Sequence, residues 1–305
     1  MANLIKFFLI FLVIVGYGWW SYPDDYLRII LCDVGQGDAI LIQRHFWQMI
    51  VDGGQDKSVL SCLAKHKPFW DKNIEMVIIT HPQADHLNGT VEVVKRFEVE
   101  LLIANAIDNP ELDADNQLNT LIANKKIQMF IPKQGDQFII EDISIDILWP
   151  ENRVFSEDFI KDDGIIRYQN RYFADHLLLD VTDPKLVKDL NEISVVARLE
   201  YRDFKLLLTG DIGHKEEQAL IDQGLLTSVE VLKVAHHGSK NSSSLGYLRI
   251  IAPEVSLISA GKNNRHGHPA KETLERLRKI NTQVLRTDLE GDVVIVTDGK
   301  KYWRE

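Results

Sequence analysis

Residues 80–89 read THPQADHLNG. His81 follows the apolar run MVII (76–79), and Asp85 and His86 come four and five residues after it. A buried strand ending at His81 would fix one imidazole rigidly, and a short loop would bring the carboxylate and the second imidazole round to the same cavity. Two neutral imidazoles and a carboxylate form a borderline-hard donor set suited to Zn²⁺ or Mn²⁺. Three polar residues in a solvated loop give the same string, so the stretch decides little by itself. Pro82 and Gly89 punctuate it on either side.

Two more apolar runs end in donor chemistry. LLLTGD (206–211) delivers Asp211 after three leucines, although an aspartate capping the helical stretch that follows reads the same way. VLKVAHHGS (231–239) closes another buried run with His236 and His237. Neighbours on a strand point to opposite faces, so one of this pair would face the metal and the other would orient substrate. Alternation does not say which. Three strand ends carrying ligand chemistry are far less expected by chance than one.

The rest of the chain is built to present such ends. LRIILCDV, AILIQ and WQMIVD read as short strands, and KSVLSCLAKH has helical spacing. A helix near 89–97, the strand VELLIA, a helix near 114–124 and the strand IQMFI follow. QFIIEDISIDILWP and SVVARLEYRDFKLLLTGD read as hairpins, the second turning at Tyr201–Asp203. A helix over 214–222, VEVLKVA, a helix near 243–250, VSLISA, the helix KETLERLRKI, QVLRT and DVVIV complete it. Strand pairs interleaved with helices in both halves predict an α/β protein, two mixed sheets packed face to face with helices outside (an αββα sandwich). Residues 150–192 are irregular and acidic, a lid-like insertion or a surface excursion.

At 305 residues, 45% hydrophobic and 26% charged, with 9 Pro and 18 Gly, the composition is globular. It excludes a disordered, collagen-like or polytopic membrane chain. The net charge of −10 excludes a general polyanion binder. Residues 230–305 nevertheless hold 13 Lys and Arg against 9 Asp and Glu, so an anionic substrate is expected to meet this quarter or a bound metal. Cys32 and Cys62 allow one bridge at most and read as small core residues. Lys6 precedes fourteen uncharged residues, FFLIFLVIVGYGWW, which are followed by SYPDD. That pattern is a signal-peptide core or short membrane anchor over residues 1–23, with the body, 24–305, outside the cytoplasm.

The chain resembles the metallo-β-lactamase-fold hydrolases, and within them the ComEC-type branch, the extracytoplasmic hydrolase domain of bacterial DNA-uptake channels. The resemblance rests on LCDVGQGDAILI (31–42), MIVDGG (49–54), THPQADHLNG, NEISVVARL (191–199), LLLTGD, LKVAHHGS, NNRHGHP (263–269) and RTDLEGDVVI (286–295). These run in order from about residue 27 to the end. It implies one or two metal ions, with His81 on the first and Asp85 and His86 on the second. Asp211 would bridge, and one of His236 and His237, His237 being favoured, would complete the second site. His268 would contact phosphate or donate a proton, and Asp33 and Asp52 would support the ligands. Gln83 stands where this branch has an acidic or imidazole ligand, which weakens the first site. His176 is a weak candidate to complete it, whereas His45, His66, His214 and His266 read as surface residues.

Lys240, Lys262 and Arg265 lie beside these motifs, and SKNSSS (239–244), beginning at Ser239, offers hydroxyls and N–H groups to an anion. The expected activity is phosphodiester hydrolysis, with single-stranded DNA as the substrate that the resemblance implies and a DNA-uptake channel as a candidate partner. Two alternatives stay open: hydrolysis of another ester, such as a phosphorylcholine ester or lactone, and a non-catalytic DNA-binding descendant.

Overall fold

The computed structural model describes residues 6–8, 24–105, 112–154, 181–182 and 189–305. Residues 9–23, which hold all but the first two residues of the apolar run, most of the 150–192 stretch and His176 lie outside the described residues. Among those described, no helix is long and apolar enough to cross a membrane.

The first half supplies β1 (Leu27–Leu31), β2 (Ile40–Arg44), β3 (Trp47–Val51), helix α1 (Val59–His66), β4 (Asn73–Ile78), α2 (Ala84–Arg96), β5 (Glu98–Ile103), α3 (Asp113–Lys125) and β6 (Gln128–Phe130). Next come β7 (Gln137–Ile140), β8 (Ile143–Trp149) and a short parallel pair, β9 (Arg153–Val154) and β10 (Val181–Thr182). The second half adds β11 (Val196–Tyr201), β12 (Phe204–Leu208), α4 (His214–Asp222), β13 (Val231–Lys233), α5 (Leu245–Ile251), β14 (Val255–Ile258), α6 (Lys271–Lys279), β15 (Gln283–Arg286), α7 (Thr287–Glu290), β16 (Val293–Thr297) and β17 (Tyr302–Arg304).

An eight-stranded sheet runs β17-β16-β1-β2-β3-β4-β5-β6, and a seven-stranded sheet runs β15-β14-β13-β12-β11-β8-β7. Each is part antiparallel and part parallel. Side-chain alternation builds the layers. Leu27, Ile29 and Leu31 of β1 face the core between the sheets, whereas Ile30 and Cys32 face the core beneath α1, α2 and α3. In β12, Leu206 and Leu208 join the central core and Leu207 joins the one beneath α4, α5 and α6. Three apolar layers between four layers of structure make the expected αββα sandwich.

Four sequence expectations are corrected. Helix α2 begins at Ala84, so Asp85 and His86 stand in its first turn and not in a loop. His236 and His237 lie beyond β13 in a 3-10 turn (Ala235–Gly238), so strand alternation does not apply to them. Cys32 and Cys62 are buried among apolar neighbours as expected, but they are joined in a disulfide, with Cα atoms 5.8 Å apart. The bridge ties the end of β1 to α1. The N–H groups of Ser243 and Ser244 donate to the Glu217 carboxylate, so an internal anion fills the place expected for a phosphate.

Candidate metal centre

The strand ends of both sheets meet at one rim. From β4 the chain continues through Ile79 and Thr80 to His81, whose Nδ1 lies 3.1 Å from the Thr80 hydroxyl and 3.2 Å from that of Ser194. Helix α2 then begins, and its first turn presents Asp85 and His86. The turn is held by contact with the loop after β3. Gly53 N–H donates to the His86 carbonyl, and Gly89 N–H to that of Gly54. A Cβ on Gly89 would sit 1.8 Å from the Gly53 oxygen, so only glycine permits this approach. Gly37 is equally confined, since its Cβ would meet the Asp85 carbonyl at 2.0 Å.

From the second sheet, β12 ends at Leu208, and the turn through Thr209 and Gly210 delivers Asp211. Its N–H donates to the Ser194 hydroxyl. His236 and His237 follow β13, both with left-handed backbones at φ 51° and 53°. This conformation costs non-glycine residues about 1–2 kcal/mol each. It turns His237 into the buried rim and leaves His236 partly exposed.

Four donors converge. Nε2 of His86 lies 3.4 Å from Asp211 Oδ2 and 4.0 Å from Asp85 Oδ1. Nε2 of His237 lies 3.3 Å from Asp211 Oδ2 and 3.4 Å from Asp85 Oδ2. Nε2 of His81, His86 and His237, together with Asp211 Oδ1, are buried without hydrogen-bond partners. Such atoms are costly unless something satisfies them. Donor atoms ~2.0–2.1 Å from a divalent cation lie about 3 Å or more apart, so Asp85, His86, Asp211 and His237 could hold one between them, with a further position left for water or substrate. His81 adds an imidazole beside Asp211, while Gln83 offers only a neutral amide at the cavity wall.

The other face of each histidine is fixed. His86 Nδ1 lies 2.8 Å from Asp52, which also accepts the Thr80 N–H and hydroxyl. His237 Nδ1 lies 3.2 Å from both Asp38 and the Ser259 carbonyl. Asp38 in turn accepts from the buried ammonium of Lys233. Asp33 makes no such contact. Its carboxylate accepts the Gly35 N–H and its own N–H donates to Asp292, so the supporting role expected of it falls to Asp38. The string GQGDA displays Asp38, but only the fold reveals its partner.

Electrostatics follow from this packing. Burial alone would drive His86 and His237 toward neutrality, but Asp211, helped by Asp52 and Asp38 respectively, holds both well above the ordinary imidazole value. Burial would likewise raise Asp85 and Asp211, yet the two imidazoles hold both carboxylates below their usual range. Binding a cation would therefore displace protons. His81 is pushed down to about 3 by burial and by His86.

A cavity of about 670 Å³ opens over these groups. Asp85, Asp211, His236 and His237 line it together with Lys262, Arg265, His266 and His268, and the His268 ring stands 5.6 Å from that of His236. Burial and the neighbouring His236 push His268 down to about 4, so it is a neutral imidazole at pH 7. Lys262, Arg265 and His268 thus stand where an anionic substrate would lie. Ser239 and Lys240 do not line the cavity. Ser239 is buried, its carbonyl accepting from Thr273, and Lys240 is exposed outside. His266 is exposed as expected, yet it borders the cavity with its ring 5.7 Å from that of His268.

The family model described as the metallo-beta-lactamase superfamily matches residues 33–262. ComE operon protein 3 of Bacillus subtilis is 25% identical over 286 residues, covering 87% of this chain and 32% of that protein. Competence protein ComA of Neisseria gonorrhoeae is 39% identical over 105 residues, 34% of this chain and 15% of that one. The chain thus spans a third or less of the length of these relatives. Among solved structures, the metallo-β-lactamase fold protein YhfI from Bacillus subtilis superposes with a TM-score of 0.56 at 11% identity, covering 90% of this chain and all of that one. The chain belongs to the metallo-β-lactamase superfamily.

Proposed function

We propose that the chain is a metal-dependent phosphodiesterase acting on nucleic acid strands, with single-stranded DNA as substrate. One observation carries the reading: Asp211 and His237, which hold buried, unpartnered donor atoms, line the same cavity as Lys262 and Arg265. Zn²⁺ or Mn²⁺ held by Asp85, His86, Asp211 and His237 would polarise a phosphoryl oxygen and lower the pKa of a water from 15.7 to about 7. His81 and Gln83 make a poorer second place, so one ion per chain is held tightly.

The chain's own residues supply the rest. Lys262 and Arg265 bind the phosphate charge. The unpartnered Oδ1 of Asp211 orients the attacking water by accepting a hydrogen bond from it. Neutral His268 donates its N–H to a phosphoryl oxygen or to the leaving oxygen. Among the described residues, the cavity lining contains no Phe, Tyr or Trp.

DNA as the strand, and work alongside a DNA-uptake channel, are supported by the likeness to the competence protein and to ComE operon protein 3. The Cys32–Cys62 bridge supports an oxidising compartment outside the cytoplasm. The test measures metal per chain on the full-length protein together with Mn²⁺- and Zn²⁺-dependent hydrolysis of bis-p-nitrophenyl phosphate and end-labelled single-stranded DNA. One tightly held ion, turnover, and loss of turnover in Asp211→Ala are expected. Unchanged turnover in that variant overturns the site. Cleavage of a lactone or phosphorylcholine ester but of no nucleic acid overturns the substrate class. A metal-free chain that binds DNA makes it a binding module.

A further inference from the structure

Within the described part of 24–305, the exposed large aromatic side chains are Tyr26, Phe46, Phe69, Trp70 and Trp303. All five sit at one end of the sandwich. β1 and β3 each run antiparallel to β2, and β4 runs parallel to β3, so β1, β3 and β4 point the same way. Tyr26 precedes β1, Phe46 precedes β3, and Phe69 and Trp70 shortly precede β4. Trp303 lies opposite Val296 near the start of β1, its ring 5.1 Å from Tyr26. The metal-binding donors follow the other ends of these strands, roughly 17–20 Å away at ~3.3 Å per residue.

The same end receives the N-terminal segment. His45, in the turn that carries Phe46, hydrogen-bonds Asp25 at 2.6 Å, and the Phe46 ring stands 6.1 Å from Trp70. The described chain resumes at this end with Asp24, four residues after the apolar run 7–20 closes in the sequence. Tyr and Trp favour the boundary between lipid and water, where an apolar body meets a polar edge. Asp24, Asp25, Glu141 and Asp142 are paired here with Arg28, His45 and Arg44, and the exposed Lys72, Lys300 and Lys301 are matched by Asp203, Asp298 and Glu305, so neither sign of charge dominates.

We propose that this aromatic end rests in the headgroup region of a zwitterionic bilayer, beside the apolar N-terminal run, and that the cavity opens on the side facing away from the membrane. The test is hydroxyl-radical footprinting of the full-length chain in phosphatidylcholine nanodiscs and in amphipol. Oxidation of Phe46, Phe69 and Trp70 is expected to fall at least threefold in nanodiscs, with His266 and His268 unchanged. Equal oxidation in both settings, protection of 261–268, or failure of the chain to stay on the discs overturns the proposal. Protection that rises with protein concentration in amphipol assigns the patch to a second copy and also overturns it. A Phe69→Ser, Trp70→Ser variant, altered only at exposed positions, is expected to restore Phe46 oxidation to the amphipol level; continued protection counts against the proposal.

Discussion

The Asp52 carboxylate lies 2.8 Å from Nδ1 of His86, and neither side chain touches solvent. The bond points Nε2 of His86 at Asp211 and makes the ring a better donor. Asp52→Asn keeps the shape and removes the charge. Metal affinity should fall roughly 10–100-fold, as removal of such supporting partners does, measured by competition with a chromophoric chelator. Unchanged affinity would show that His86 does not bind the ion.

Gln83→His should give His81 a second imidazole neighbour and raise the metal content from one toward two ions per chain. Elemental analysis after exhaustive dialysis reads this directly. A stoichiometry that stays at one would show that position 83 does not limit the first site.

Lys233 and Asp38 form a buried ion pair. Lys233→Met leaves Asp38 with His237 alone as counter-charge and should cost up to about 3 kcal/mol, the low end for a broken buried pair. Adding Asp38→Asn to that variant should recover most of the loss, because both charges are then gone. Urea unfolding of the two variants provides the comparison.

Gly89→Ala drives a methyl group into the Gly53 carbonyl. A loss of about 3 kcal/mol is expected, at the upper end of overpacking, with weakened metal binding as Asp52 and His86 move apart. A melting temperature within a degree of the parent would contradict the close contact.

Stability should also depend on acid through Asp292. Burial would raise this carboxyl, but the Asp33 N–H, Lys65 and His66 outweigh it and hold it below its ordinary 3.8. Its folded value being the lower one, its contribution is present above pH ~3.8 and is lost as pH falls through the folded value. Asp292→Asn should therefore lower the urea midpoint at pH 7, and the gap from the parent should narrow below pH ~3.8.

Much of this architecture is legible in the sequence because two-residue alternation is a strong signal. Leu27, Ile29 and Leu31 against Ile30 and Cys32 already assign β1 its two faces. What escaped depends on residues distant in the chain or on backbone shapes without a sequence mark. The start of α2 was hidden because Gln83 is not an ordinary capping residue and its side chain makes no cap bond. The left-handed pair His236 and His237 resembles a strand end until the backbone is seen. Glu217 reaches Ser243 from 26 residues away, and Cys62 reaches Cys32 across 30. No local pattern announces either pairing. The three donor runs were visible, whereas the arrangement that sets His237 against Asp38 and Lys233 needed both sheets in place.

The loop 261–268 brings Lys262, Arg265, His266 and His268 to the cavity, while the four donors proposed for the ion come from α2 and from the turns after β12 and β13. The loop closes on itself through Asn264, which bonds the carbonyls of Gly261 and His268 and accepts the His268 N–H. On the proposed function, the groups that meet phosphate therefore sit on one self-contained eight-residue cassette. Exchanging that cassette would replace all of them, His268 included, while the four donors proposed for the ion stayed as they are.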